Sequence, residues 1–225
     1  RREQALAEAR FAVSCGYDAG LLSLAALRDD DTQALIDHCR AIADVLPIIG
    51  FYLQPSVGGR VLPYDFWRKF CDIDHVLGIK IAPFNRYCTL DVVRAVAESG
   101  RDITLYTGND DNIVVDLLTV YNIAGRRLRI RGGLLGHWCC WTRRAVELLG
   151  EIQRLLDSNA AIPPELLTRA AQITDCNAAF FDPAHAFAGC IPGIHEVLRR
   201  QGLLKGIWCL NPNETLSPGQ ADEIT

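Results

Sequence analysis

The chain has 225 residues, 49% of them in the hydrophobic class, and a formal net charge of −4, enough to bury one substantial core within the usual size of a single domain. Its 20 arginines are scattered rather than clustered, so it lacks the basic footprint of a nucleic-acid binder, and its apolar runs fall far short of the ~20 residues that a membrane-spanning helix needs. No apolar signal-peptide core is seen, and nine cysteines without a C-x-x-C pair read as reduced thiols, so a soluble, cytoplasmic protein is expected.

Five short apolar runs recur along the chain, each followed by an amphipathic stretch, the rhythm of parallel strands joined by crossover helices. The first run is 21–27. Asp29-Asp30-Asp31-Thr32 then opens a helix reaching to about residue 46, its acids suited to the positive helix end and to capping free N–H groups. The second run, 47–53, precedes a helix at 64–71 whose Phe66, Trp67 and Phe70 have the spacing of a buried stripe. The third run, 76–82, leads to a helix at 88–99, and the fourth, 103–108, to one at 112–121. A fifth run at 133–137 precedes a helix at 142–158, and Pro163-Pro164 begins a helical section with helices at 165–179 and 193–201. The expected domains are a β/α portion over 1–160 and a helical extension over 161–225. An open sheet and a barrel both satisfy this rhythm.

Successive side chains of a strand point to opposite faces, so in the third run Leu77, Ile79 and Ile81 suit contact with a helix while Gly78, Lys80 and Ala82 face the other way. The second run repeats the device, with Gly50 and Tyr52 on one face. If the two strands are neighbours, both polar tips sit near the C-terminal strand ends, where barrel enzymes keep their sites, and a phenol lies beside an amine. The pair suits carbonyl chemistry. A free lysine amine, with a pKa of about 10.4, is neutral in only ~1 of 2,500 molecules at pH 7, and burial raises that reactive fraction. A tyrosine hydroxyl in reach can shuttle protons. Lys80 is one of three lysines in a chain that otherwise uses arginine, which suggests a need for a deprotonatable amine. The bland alternative is a lysine that snorkels to water.

Tyr52-Leu53-Gln54-Pro55-Ser56 and, 28 residues after that tyrosine, Gly78-Ile79-Lys80 resemble the paired motifs of the dihydrodipicolinate synthase and N-acetylneuraminate lyase family. Thr107-Gly108-Asn109-Asp110 resembles the family's glycine-aspartate turn, and Gly132-Gly133-Leu134-Leu135-Gly136 its glycine-rich last barrel strand. The resemblance implies an α/β fold, a (β/α)8 barrel with a C-terminal helical extension, and a lysine that forms a Schiff base with pyruvate or a related 2-oxo acid. It makes Lys80 the nucleophile and Tyr52 the proton relay, and places Gly108 near the keto acid. Asn109 and His137 are candidate substrate-binding residues. It implies no cofactor or metal, and a homo-oligomer with a small-molecule partner.

Three departures stand out. The arginine that the synthases place two after the motif proline is Val57 here, with Arg60 three further on; no tyrosine lies in 23–33; and the family's threonine-threonine turn is absent. Counted by resemblance, the five strands are the fourth to eighth of a barrel, so the chain is expected to be a partial barrel cut at both ends, lacking roughly 80 to 100 N-terminal residues at ~30 per βα unit. The piece alone is expected to be inactive, with sheet edges unpaired. Two rivals are a metal-dependent barrel enzyme using His137 and the acidic loops, and a non-catalytic relative that keeps the fold.

Overall fold

A computed structural model describes residues 2–225, which fall into two compact units. One comprises the residues up to Asn109 together with Thr119–Gly133; the other comprises Asp110–Leu118 and Leu134–Thr225.

The first unit is a six-stranded α/β sheet. After helix α1 (Arg2–Ser14) come β1 (Gly20–Leu22), α2 (Thr32–Ala43), β2 (Ile48–Leu53), a single 3-10 turn at Pro55–Val57, α3 (Tyr64–Phe70), β3 (Val76–Ala82), α4 (Arg86–Ser99), β4 (Thr104–Thr107), β5 (Val120–Ile123) and β6 (Arg126–Gly133). The strand order is β1-β2-β3-β4-β6-β5, with every pair parallel except the β5–β6 hairpin. Parallel neighbours need long crossovers, and α2, α3 and α4 supply them. Local chemistry sets their ends. Asp31 caps α2 by accepting from the Ala34 N–H at 2.8 Å, and Asn85 caps α4 by accepting from the N–H groups of Tyr87 and Cys88. Gly100 ends α4 in the left-handed region at φ 71°. The acidic run Asp29-Asp30-Asp31 thus ends in a helix cap.

One face of the sheet is packed under helices. Ile48 and Tyr52 of β2, Ile79 and Ile81 of β3, and Leu105 and Thr107 of β4 are all fully buried, beneath Phe66, Trp67 and Phe70 of α3 and Val92, Val93 and Val96 of α4. Gly50 lies flush against this aromatic stripe, because a Cβ there would stand 2.8 Å from the Phe70 ring. The other face, with Ile49 and Phe51, Lys80, and Thr104 and Tyr106, is half-buried.

The last strand departs from expectation. It is Arg126–Gly133, not 133–137, and it pairs with an unforeseen antiparallel strand. Arg126, Arg127, Arg129 and Arg131 interrupt its apolar residues, so no apolar run announces it. The hairpin turns at Ala124-Gly125, both with positive φ (50° and 71°), the geometry of a two-residue turn, without the Asn-Gly or Asp-Gly signal. Arg126 anchors the strand by donating to the carbonyls of Val96 and Arg101.

The second unit is helical: α5 (Ile113–Leu118), α6 (Gly136–Cys140), α7 (Thr142–Asp157), α8 (Pro164–Phe181), α9 (Cys190–Arg200) and α10 (Gln220–Glu223). It begins at Leu134 and takes in α5, rather than starting at 161, because α5 packs on both α7 and α8. Cys140, Phe180, Phe181 and Val197 form its buried centre, flanked by Trp141 and Ile194. The buried Gln220 amide donates to the carbonyls of Ala179, Phe180 and Gly189, stapling the last helix to α8 and α9. Among the described residues, no helix is long and apolar enough to cross a membrane.

Candidate active site

Lys80 is the penultimate inward position of β3, two residues before the strand's C-terminal end at Ala82, on the half-buried face. Neighbouring residues at the same register in a parallel sheet stand side by side on one face. Lys80 is paired with Phe51 of β2 on one side and with Tyr106 of β4 on the other. Its Nζ lies over the Phe51 ring, 4.3 Å from the centroid, a cation–π contact worth about 0.5–2 kcal/mol when the amine is charged. Gly108, just beyond β4, makes room for the lysine stem: a Cβ there would stand 2.9 Å from Lys80 Cε, 3.3 Å from Cγ and 2.8 Å from Ala82 Cβ. The Gly108 N–H donates to the Ile81 carbonyl at 2.7 Å, which fixes this close approach. Lys80 and Gly108 are therefore brought together as expected.

Tyr52 is on the opposite face, which corrects the expected phenol–amine contact. Its ring lies 5.1 Å from that of Trp67, and its hydroxyl both donates to the Leu62 carbonyl and accepts from the Leu62 N–H, each at 3.2 Å. Burial, reinforced by the neighbouring Cys88 thiol, pushes this phenol well above its ordinary pKa. The cause is a single shift in register. Ile48 pairs with Val76, 28 positions on, but Ile49 pairs with Gly78, 29 positions on. Carried forward without the shift, the first offset would set Tyr52 beside Lys80; with it, Tyr52 meets Ile81 and Phe51 meets Lys80. Leu77 is the residue passed over, and it is 47% exposed, which also corrects its expected place under a helix.

Asn109 is wholly buried and committed to structure. Its Oδ1 accepts from the Phe84 N–H at 3.0 Å, its Nδ2 points to Thr89 Oγ1 at 3.4 Å, and its own N–H donates to Thr107 Oγ1. It pins the β3–α4 loop, where Phe84 has a positive φ of 51°. Its side chain is therefore aimed at the helix layer, not at the amine. Arg60 is likewise occupied, donating to the carbonyls of Leu27 and Asp30 at 2.6 and 3.0 Å.

His137 belongs to the helical unit and lies in α6 rather than at a strand end. Asn177 donates its amide to the Asp110 carbonyl at 2.6 Å, which turns its Oδ1 towards His137 Nδ1, also at 2.6 Å. Nδ1 must then carry the proton, and burial holds the ring's pKa below the ordinary value, in favour of the neutral form. Trp141 and Phe180 pack against it. Among the described residues, no group of three or more His, Cys, Asp or Glu side chains is placed to hold a metal ion. Asp182 and His185 do pair, at 2.5 Å, but Ser217 donates to Asp182 at 2.6 Å rather than to the histidine. A cavity of about 520 Å³ beside His137 has Arg144 and Arg169 at its wall, each already matched to Glu147 or Glu151.

Sequence reasoning missed Phe51 and Tyr106 as the lysine's neighbours. The glycines around Tyr106 were the available signal: a Cβ on Gly78 would stand 3.2 Å from its ring and one on Gly132, in ordinary contact, 3.6 Å.

No protein-family model matches the chain. A stretch of 119 residues is 26% identical to 4-hydroxy-tetrahydrodipicolinate synthase of Sulfurihydrogenibium sp. (strain YO3AOP1), covering 52% of this chain and 39% of that protein. Among solved structures, dihydrodipicolinate synthase from Bacteroides thetaiotaomicron matches the whole chain with a TM-score of 0.75 at 14% identity, over 70% of its own length. The synthase from Aquifex aeolicus gives 0.74 at 16%, over 69% of its length. YagE, a prophage protein of the dihydrodipicolinic acid synthase family from E. coli K12 determined with pyruvate, gives 0.71 at 16%, over 70%. The curated match thus spans well under half of its relative. The parallel sheet with its crossover helices is part of a (β/α)8 barrel like theirs.

Proposed function

We propose that this chain, which belongs to the dihydrodipicolinate synthase and N-acetylneuraminate lyase family, carries the Schiff-base centre of a class I aldolase-type lyase acting on pyruvate or a related 2-oxo acid. Lys80 is the nucleophile in this proposal, and Gly108 the residue that lets its stem extend along β4. The observation that carries it is the position of the amine: near the C-terminal end of β3, on a half-buried face, seated on an aromatic ring and against a glycine. In its neutral form a lysine amine at such a site is a nucleophile. The neutral amine attacks the ketone carbon, and loss of water gives an imine that can draw electrons from an adjacent carbon–carbon bond.

Borohydride reduction of the full-length protein in the presence of pyruvate, followed by peptide mass mapping, tests this. The expected result is the mass of a reduced pyruvate adduct on Lys80. A protein that stays unlabelled there with saturating pyruvate and reductant would sink the proposal.

A further inference from the structure

We infer that the cavity beside His137 is a binding site in its own right, and that it takes a neutral aromatic compound carrying a hydroxyl donor, of the phenol class. The cavity measures about 520 Å³, within the range of small-molecule pockets. Its walls come from α6, α7, α8 and Trp141. Every residue that lines it belongs to the helical unit, whereas Lys80 belongs to the other, so the inference does not rest on the Schiff-base proposal.

One polar atom in that wall has no partner. His137 is only 9% exposed, and its Nδ1 is committed to Asn177 Oδ1 at 2.6 Å. Asn177 cannot turn its amide round, because its Nδ2 donates to the Asp110 carbonyl at 2.6 Å. The proton therefore stays on Nδ1, and Nε2 presents a lone pair. Asn177 is not part of the cavity lining but His137 is, so Nε2 is the ring nitrogen on the cavity side. Among the described residues nothing hydrogen-bonds to Nε2, and the atom is not closed off from solvent. A nearly buried acceptor of this kind gains from a ligand that donates to it.

The rest of the lining sets the ligand's character. Its charges cancel, with Arg144 paired to Glu147 at 2.8 Å and Arg169 to Glu151 at 2.6 Å, which leaves no net charge to recruit an ion. Burial favours the neutral form of His137, so an anion would meet a lone pair, and a cation would meet two arginines. Trp141, Ala145, Leu148 and Ile173 supply aromatic and aliphatic surface. The Trp141 ring is itself braced edge-on by Phe180, with centroids 5.5 Å apart and planes at 71°. A neutral ring with one O–H answers all of these features, its carbon faces against Trp141 and the aliphatic side chains and its proton on Nε2.

The test adds phenol to the full-length protein carrying 15N-labelled histidine, read by calorimetry and by NMR. One saturable site is expected, and the His137 Nε2 resonance should move along the same binding curve, as a hydrogen bond to its lone pair requires. Toluene, the same ring without a donor, should not produce that shift. His137→Phe should weaken phenol binding roughly five- to tenfold, the worth of one net hydrogen bond. The absence of saturable binding overturns the inference, as does an Nε2 resonance that stays in place at saturation, the same shift with toluene, or unchanged affinity in His137→Phe. Should that variant fail to fold, the titration of the unchanged protein decides by itself.

Discussion

Along β2 and β3 the helix-side face carries Ile48, Gly50, Tyr52, Ile79 and Ile81, all buried, while the opposite face carries Ile49, Phe51 and Lys80, all half-buried. The first face is closed by Trp67 and Phe70, which leave so little room that position 50 must be glycine. The second leaves space at Gly78, Gly108 and Gly132, and the side chains that use it are Tyr106 and Lys80. Glycine therefore serves opposite ends on the two sides, close packing on one and an opening for long polar side chains on the other. Tyr52, on the packed face, has its hydroxyl engaged by the backbone of Leu62.

Four substitutions would break or sharpen this contrast. The largest effect is expected from Lys80→Arg, on the open face: trapping at position 80 should vanish, with stability changed by less than about 0.5 kcal/mol, as for a site away from the packed core. A retained rate of substrate turnover would contradict the role given to the amine. On the packed face, Gly50→Val should cost about 3 kcal/mol, at the upper end for overpacking, because even a Cβ meets the Phe70 ring at 2.8 Å; denaturant unfolding would read this as a lowered midpoint. Tyr52→Phe should cost about 1–2 kcal/mol, since it strips the buried Leu62 N–H and carbonyl of their partner, and an undiminished midpoint would show that hydroxyl to be dispensable. The smallest effect belongs to Leu77→Ser, at the exposed residue where the register shifts. Within about 0.5 kcal/mol is expected, and a large loss would mean that Leu77 is covered in the working protein.

Much of the fold was legible because the relevant signals are local. Val76–Ala82 and Tyr64–Phe70 follow directly from apolar runs and a buried aromatic stripe, and Asp31 is a helix cap by residue type. The arginine-rich strand Arg126–Gly133 was not legible, because its charged residues hide the apolar signal and its turn uses Ala124-Gly125. Of the site residues, Lys80 and Gly108 come together, whereas Asn109 is turned to the helix layer and His137 is held by Asn177 in the other unit.

The spacing of glycines and large aliphatics by itself determined that β3 has two unlike faces, that Lys80 stands on the roomier one, and that the chain resembles one lyase family. Which aromatic residue stands beside that lysine was decided only when β2 and β3 paired. Side chains alternate with a period of two, so passing over one residue at Leu77 exchanges every face partner beyond it. Such a shift depends on how the two strands pack against α3 and α4, and no run of residues read along the chain encodes it.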